Sequence, residues 1–152
     1  MLTIATESPL HPDLGLLMQR HRQAMFEASP PESVHMLEAS ALCTEGIRFY
    51  VMRDGGRPVG MGAFKPLEAR HAEIKSMHVL IEERGRGLAR LLLDHLLLHA
   101  KEAGFTHLSL ETGPKPCFAS ARSLYLKAGF TECPPFPPYV EDPYSTFMAR
   151  AL

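Results

Sequence analysis

Apolar residues recur along this chain with two different periods, and the changes between them mark out its elements. Leu2 to Thr6 is a short β-prone opening. From Pro12 to about Ala28, Leu16, Leu17, His21, Ala24 and Met25 return at helical spacing and predict a helix. The run SPPES at Ser29 to Ser33 ends it and starts another. Ser29 can serve as N-cap there, with Pro30 in a first turn where its missing N–H does no harm. This second helix is expected to reach Cys43 to Gly46. Ile47 to Arg53 and Pro58 to Lys65 then read as strands joined by Asp54, Gly55 and Gly56, a strong hairpin signal.

Pro66 to Ala69 connects to a central strand, His71 to Leu80, and a charged Gly-containing turn leads into an apolar helix from Leu88 to Ala103. Gly104 terminates that helix. Thr106 to Glu111 reads as a strand, Phe118 to Ala128 as a helix stopped by Gly129, and Phe130 to Cys133 as a short strand. Pro134 to Pro143 cannot form a regular element, and Ser145 to Leu152 closes as a last strand. Early hairpins followed by late βαβ crossovers predict an α/β chain with a mixed, mostly antiparallel sheet and helices on both faces, in one domain over 1–152.

The turn between the central strand and its helix is the candidate for chemistry. A strand delivered into glycines that open a helix leaves backbone N–H groups unpaired at the positive end of the helix dipole, which makes an anion site. A dinucleotide fingerprint would need a small residue three positions after Gly87, where Arg90 stands, and no acidic residue follows a second strand at the right distance. A Walker loop fails for want of Gly-Lys-Ser/Thr. The small residues Gly85, Gly87 and Ala89 let the backbone approach a diphosphate. Arg84, Arg86 and Arg90 add positive charge around it.

Composition narrows the classes. A net charge of −1 gives no electrostatic reason to expect a nucleic-acid partner. No segment reaches the roughly 18 apolar residues of a membrane span. The three cysteines, Cys43, Cys117 and Cys133, are widely spaced without a CxxC pair, which suits a reducing cytoplasm and argues against a disulfide framework or a zinc site. Cys117 has no histidine placed beside it by sequence to make it a nucleophile. His95 and His99 lie i, i+4 with no Glu between them, and His99 shares the apolar arc of Leu88, Leu92 and Leu96, as a core histidine would.

Arg84-x-x-Gly87-x-Ala89, preceded by Met77-His78-Val79, resembles motif A of the GNAT (Gcn5-related N-acetyltransferase) superfamily, whose members bind the pyrophosphate of acetyl-CoA on this turn. Ala121 to Phe130, ARSLYLKAGF, resembles its motif B at nearly every defining position. The resemblance covers about Ile47 to Phe130. It departs at Lys115 to Ser120, KPCFAS, where many members carry an Asn that touches the CoA arm. The resemblance implies acetyl-CoA as co-substrate with no metal, a small-molecule amine or peptide acceptor, direct transfer in a ternary complex, and often a homodimer. It implies backbone contacts to CoA from Met77, His78, Val79 and the loop residues Arg84, Gly85, Arg86, Gly87, Leu88, Ala89 and Arg90.

Glu73, 11 residues before Arg84, matches the base of the histone-acetylating members, with His71 and His78 as alternatives, and Tyr125 matches the tyrosine that protonates the CoA thiolate. Simple alternation along the central strand puts His71, Glu73, Lys75, Met77 and Val79 on one face. The connection between the last two strands borders the acceptor site in this superfamily. That implies a pocket walled by Phe136, Tyr139 and Tyr144, with Glu141 and Asp142 attracting a cationic amine. A different class, an acyl-CoA-binding sensor without transfer, keeps motif A but has no need of Glu73 or Tyr125.

Overall fold

The computed structural model describes residues Met1 to Leu152. Seven strands form one sheet: β1 (Leu2–Thr6), β2 (Arg48–Asp54), β3 (Arg57–Glu68), β4 (His71–Val79), β5 (His107–Thr112), β6 (Thr131–Glu132) and β7 (Thr146–Ala151). Their spatial order is β1-β2-β3-β4-β5-β7-β6, and only the β4–β5 pair is parallel. The helices are α1 (Gly15–Ala28), α2 (Ala39–Leu42), α3 (Leu88–Glu102) and α4 (Ala119–Lys127). Leu14 and Leu17, at the start of α1, and Leu42 of α2 cover Phe49, Val51, Met61 and Ala63 on one face. On the other face, α3 and α4 bury Tyr50, Phe64, Ile74, Leu108 and Leu110 beneath Leu93, Leu96 and Tyr125. The mixed sheet with helices on both faces is therefore as the pattern predicts.

Local signals place most boundaries. Gly55 and Gly56 both hold positive φ, +59° and +85°, the geometry that a two-residue hairpin turn requires. Two expectations fail. The second helix does not form as one piece: a single 3-10 turn at Pro31–Ser33 is followed by extended chain, and α2 spans only four residues. Tertiary bonds outcompete the helix here, because the Ser33 hydroxyl donates to Asp142 at 2.6 Å and the His35 carbonyl accepts from the Lys75 ammonium at 2.8 Å. Strand β3 also runs on through Pro66 to Glu68, with a register shift that accommodates the proline.

Two irregularities in the sheet create the site. First, β4 carries a bulge. Met61 faces His78 but Ala63 faces Lys75, so β4 holds one extra residue there, and Ser76 has φ +57°. The extra residue resets the alternation. Ala72 and Ile74 lie in the core under α3 and α4, Met77 packs against that same core, and Val79 joins Leu88 and Leu92. Met77 and Val79 therefore face away from Glu73 and Lys75, against the simple alternation. Gly62 lies opposite the bulge because a Cβ there would come within 2.8 Å of the Met77 sulfur. Second, β4 and β5 pair over only three rungs, ending at Glu73↔Ser109, although both strands continue. Beyond that rung they part, and a cleft opens between them.

Candidate active site

The cleft is about 1210 Å³ and is bounded by β4 from Glu73 to Val79, β5 from Leu110, the N-terminus of α3, one side of α4 and the end of α1. That exceeds the roughly 300–1,000 Å³ of a typical small-ligand pocket, so a long ligand and a second molecule can share it. At one end stands the glycine loop. Gly85 and Gly87 have φ +84° and +75°, left-handed values that exclude most side chains. A Cβ at either would meet no protein atom, so the space over the loop is open. Gly87 is the N-cap of α3 and offers no side-chain cap. The first helical bond runs from the Leu91 N–H to the Gly87 carbonyl at 3.2 Å, which leaves the N–H groups of Leu88, Ala89 and Arg90 for an anion.

The three arginines divide. Arg84 and Arg90 line the cleft. Arg86 turns away and bonds Asp54 at 2.9 Å and Glu83 at 2.5 Å, fastening the loop to the β2–β3 hairpin. Arg86 therefore stands outside the cleft, away from the place the sequence predicts for it.

Where β4 and β5 part, several ionisable groups gather. Glu73 is buried at 2% exposure, and its Oε2 accepts from the Tyr139 hydroxyl at 2.5 Å and the Lys75 ammonium at 3.3 Å. Lys75 also donates to Tyr139 at 2.9 Å. Of the histidines, His71 is tied to Ser109 at 2.6 Å, whereas His78 lines the cleft. Burial, helped by Arg84 and Arg20, pulls His78 down to about 4. His21 packs edge-on against His78 and is likewise held at about 4, chiefly by burial, so both are neutral at pH 7. Across the cleft Glu111 is pushed up to about 7 by burial, against the pull of Ser145 and Lys75. Tyr125 lines the same space, and burial with Glu111 nearby raises its phenol further above the usual range.

A split parallel pair, a free helix N-terminus on one side and a buried acid–base cluster on the other suit a phosphorylated acyl donor meeting an acceptor. The profile of the Acetyltransferase (GNAT) family matches residues 16–130. The chain belongs to the GNAT acetyltransferase family. The acetyltransferase is 39% identical to Uncharacterized N-acetyltransferase YedL of Escherichia coli, over 100% of this chain and 96% of that one. Among solved structures it resembles an acyl-CoA N-acyltransferase from Klebsiella pneumoniae, with a TM-score of 0.81 and 27% identity, covering 100% and 98% of the two chains. It also shares the fold of yncA from Salmonella typhimurium, solved with its cofactor acetyl-CoA, at TM-score 0.73 and 18% identity over 99% and 93%. Acetyl-CoA is the co-substrate of this enzyme, and the acyl transfer goes to an amine.

Most of the residues expected to hold the cofactor line one cleft: Met77, His78, Val79, Arg84, Gly85, Gly87, Leu88, Ala89 and Arg90 all do, and only Arg86 is missing. These are the groups that would hold the diphosphate and the arm of acetyl-CoA. No group of three or more His, Cys, Asp or Glu side chains converges as a metal centre. The tail is different. Of its five expected acceptor residues, Phe136, Tyr139, Glu141, Asp142 and Tyr144, only Tyr144 lines the cleft. Phe136 is buried against His71, Tyr139 and Phe147, the Tyr139 hydroxyl is spent on Glu73, and Glu141 points to solvent. The proline-rich segment is a strap that braces β4, because its side chains find aromatic and carboxylate partners that sequence spacing does not display.

The residue that sequence reading misses is Glu111. Its signal is present: in HLSLET, Leu108 and Leu110 face the core, so Ser109 and Glu111 must share the other face with Glu73. What the sequence lacks is the early parting of the strands, which leaves Glu111 lining a cleft.

Proposed function

We propose that this enzyme acetylates a primary amine directly from acetyl-CoA, with Glu111 as proton acceptor and Tyr125 as proton donor. The observation that carries the reading is the placement of both groups on the walls of the cleft that the glycine loop closes at its far end. A carboxyl near 7 suits a base at neutral pH, while Glu73 Oε2 is already engaged by Lys75 and Tyr139. Glu73 is then a positioning residue that holds the strap, the ammonium and β4 together.

The ammonium of the acceptor loses a proton to the Glu111 carboxylate. Its nitrogen attacks the thioester carbonyl carbon; the new C–N bond forms as the C–S bond breaks, and the CoA thiolate takes a proton from the Tyr125 phenol. The second proton shed by the nitrogen as it becomes an amide passes through water to restore that phenol, while Glu111 returns its own proton to solvent. Because its pKa is raised, Tyr125 keeps its proton across the working range and is always available as a donor to sulfur. The loop N–H groups and Arg84 fix the cofactor, so the reaction becomes intramolecular within a ternary complex.

The acceptor is a small amine or a peptide, and the setting we propose is the cytoplasm. No helix is long and apolar enough to cross a membrane. A homodimer belongs to this reading, and the exposed edge strand β1 is a surface open to a second copy. The test is a CoA-release assay over an amine panel, with acetyl-CoA binding followed by thermal shift. Acetyl-CoA binding without turnover of any amine overturns the catalytic reading in favour of a sensor.

A further inference from the structure

Building on the transfer reading above, we propose that the natural acceptor is an amine with an apolar body and no carboxylate beside the amine. The acceptor end of the cleft is walled by Ala24, Met25 and Ala28 of α1 and by Val34 and Met36 of the extended segment. These side chains offer an apolar surface, and the two methionines can adapt to irregular shapes.

Four carboxylates and four cations line the cleft as a whole, but they are unevenly spread, with Glu83 next to the glycine loop in the chain and the other three carboxylates on other elements. Glu27, Glu73 and Glu111 all line the cleft, and Asp142 lies close enough to raise Glu111. Among the lysines and arginines that line it, Arg84 and Arg90 stand at the α3 N-terminus and Lys127 at the exposed end of α4. Lys75 alone remains on the acceptor side, and it is fully committed. A lysine ammonium has three N–H groups. Here they meet the His35 carbonyl at 2.8 Å, the Tyr139 oxygen at 2.9 Å and Glu73 at 3.3 Å. Three histidines line the cleft: His21 and His78 are neutral at pH 7, and burial, with Lys75 nearby, also pulls His35 below its ordinary value. A carboxylate on the acceptor would thus face other carboxylates, with Lys75 already paired and Lys115 held over the Tyr144 ring outside the lining, whereas an ammonium is attracted on entry.

Purified enzyme with saturating acetyl-CoA tests this on matched acceptors: phenethylamine, phenylalanine and phenylalaninamide, with tyramine and tyrosine as a second pair. The amines are expected to exceed the amino acids in kcat/KM by about 10- to 100-fold, the scale on which like-charge juxtaposition discriminates. Phenylalaninamide, equal in bulk but lacking the carboxylate, should recover most of that loss. In Glu27→Lys, a change at an exposed side chain, the gap should narrow several-fold with the KM for acetyl-CoA unchanged.

Amino acids turned over as well as their amines overturn the inference while leaving the transfer reading standing. An amide as slow as the acid also overturns it, since bulk and not charge would then discriminate. No turnover of any acceptor by enzyme that still binds acetyl-CoA overturns both the inference and the reading beneath it.

Discussion

The phenol of Tyr139 donates to Glu73 Oε2 at 2.5 Å from 66 residues further along the chain, and so ties the proline-rich strap to the middle of the sheet. With Lys75 beside both, this is a buried ion pair whose members are each satisfied. Losing one member leaves the other uncompensated in a desolvated place, so Lys75→Met should cost about 3–5 kcal/mol of stability, read by chemical denaturation. Tyr139→Phe removes two charge-assisted bonds, one donated to Glu73 and one accepted from Lys75, and should cost at least about 1.5–3 kcal/mol.

The pH profile separates the two glutamates. Activity should fall on acidification through about pH 7, as Glu111 takes up a proton. In Glu111→Gln, kcat/KM should drop about 10²- to 10⁴-fold and that acidic limb should disappear. Retention of the limb in Glu111→Gln, with its loss in Glu73→Gln, would return the base role to Glu73.

The same shift predicts a stability effect of opposite sense. A carboxyl raised in the folded state binds its proton more tightly there than in the unfolded chain. Its favourable contribution is complete below the unfolded value of 4.5 and is lost as pH rises through about 7. At pH 8 the ionised, desolvated Glu111 is a burden, and Glu111→Gln should raise the melting temperature there while gaining little at pH 4.

Tyr125→Phe keeps the ring that packs against Phe130 and removes the proton donor. Its kcat should fall about 10²-fold or more with the Kd for acetyl-CoA unchanged, as measured by isothermal titration. An unchanged kcat would reduce Tyr125 to packing.

The loop arginines should split in the same assay. Arg84→Ala should weaken acetyl-CoA binding by about 1.5–3 kcal/mol, as the loss of a charged hydrogen-bond donor does. Arg86→Ala should leave the affinity nearly unchanged, because that guanidinium holds Asp54 and Glu83 and faces away from the cleft.

These contrasts show which physics is local. Gly55, Gly56, Gly85, Gly87, Gly104 and Gly129 all take the positive φ that a turn or helix end demands, and each stands at a boundary that the sequence marks. The strand and helix periods were likewise readable, because packing one face against a core imposes them on nearby residues. The fate of Arg86 was not, since its partner Asp54 is 32 residues away. Nor was the loss of the second helix, which gives way to bonds with Lys75 and Asp142 from the far side of the cleft. The face of Met77 and Val79 was misjudged for a subtler reason: one residue in the left-handed region, Ser76, shifts every later side chain, and serine carries no marking for that conformation.

The three-rung pairing of β4 with β5 also has a mechanical meaning. It is the only parallel seam in the sheet, and it joins the hairpin half of the chain to the half built from β5, β6, β7 and α4. A cofactor lying between the parted strands would act as a missing rung, touching both halves at once. Acetyl-CoA should then stiffen the enzyme as a whole and not only its binding loop. At 100 times its Kd it should add about 2.7 kcal/mol to the unfolding free energy, and amide hydrogen exchange should slow on both β4 and β5.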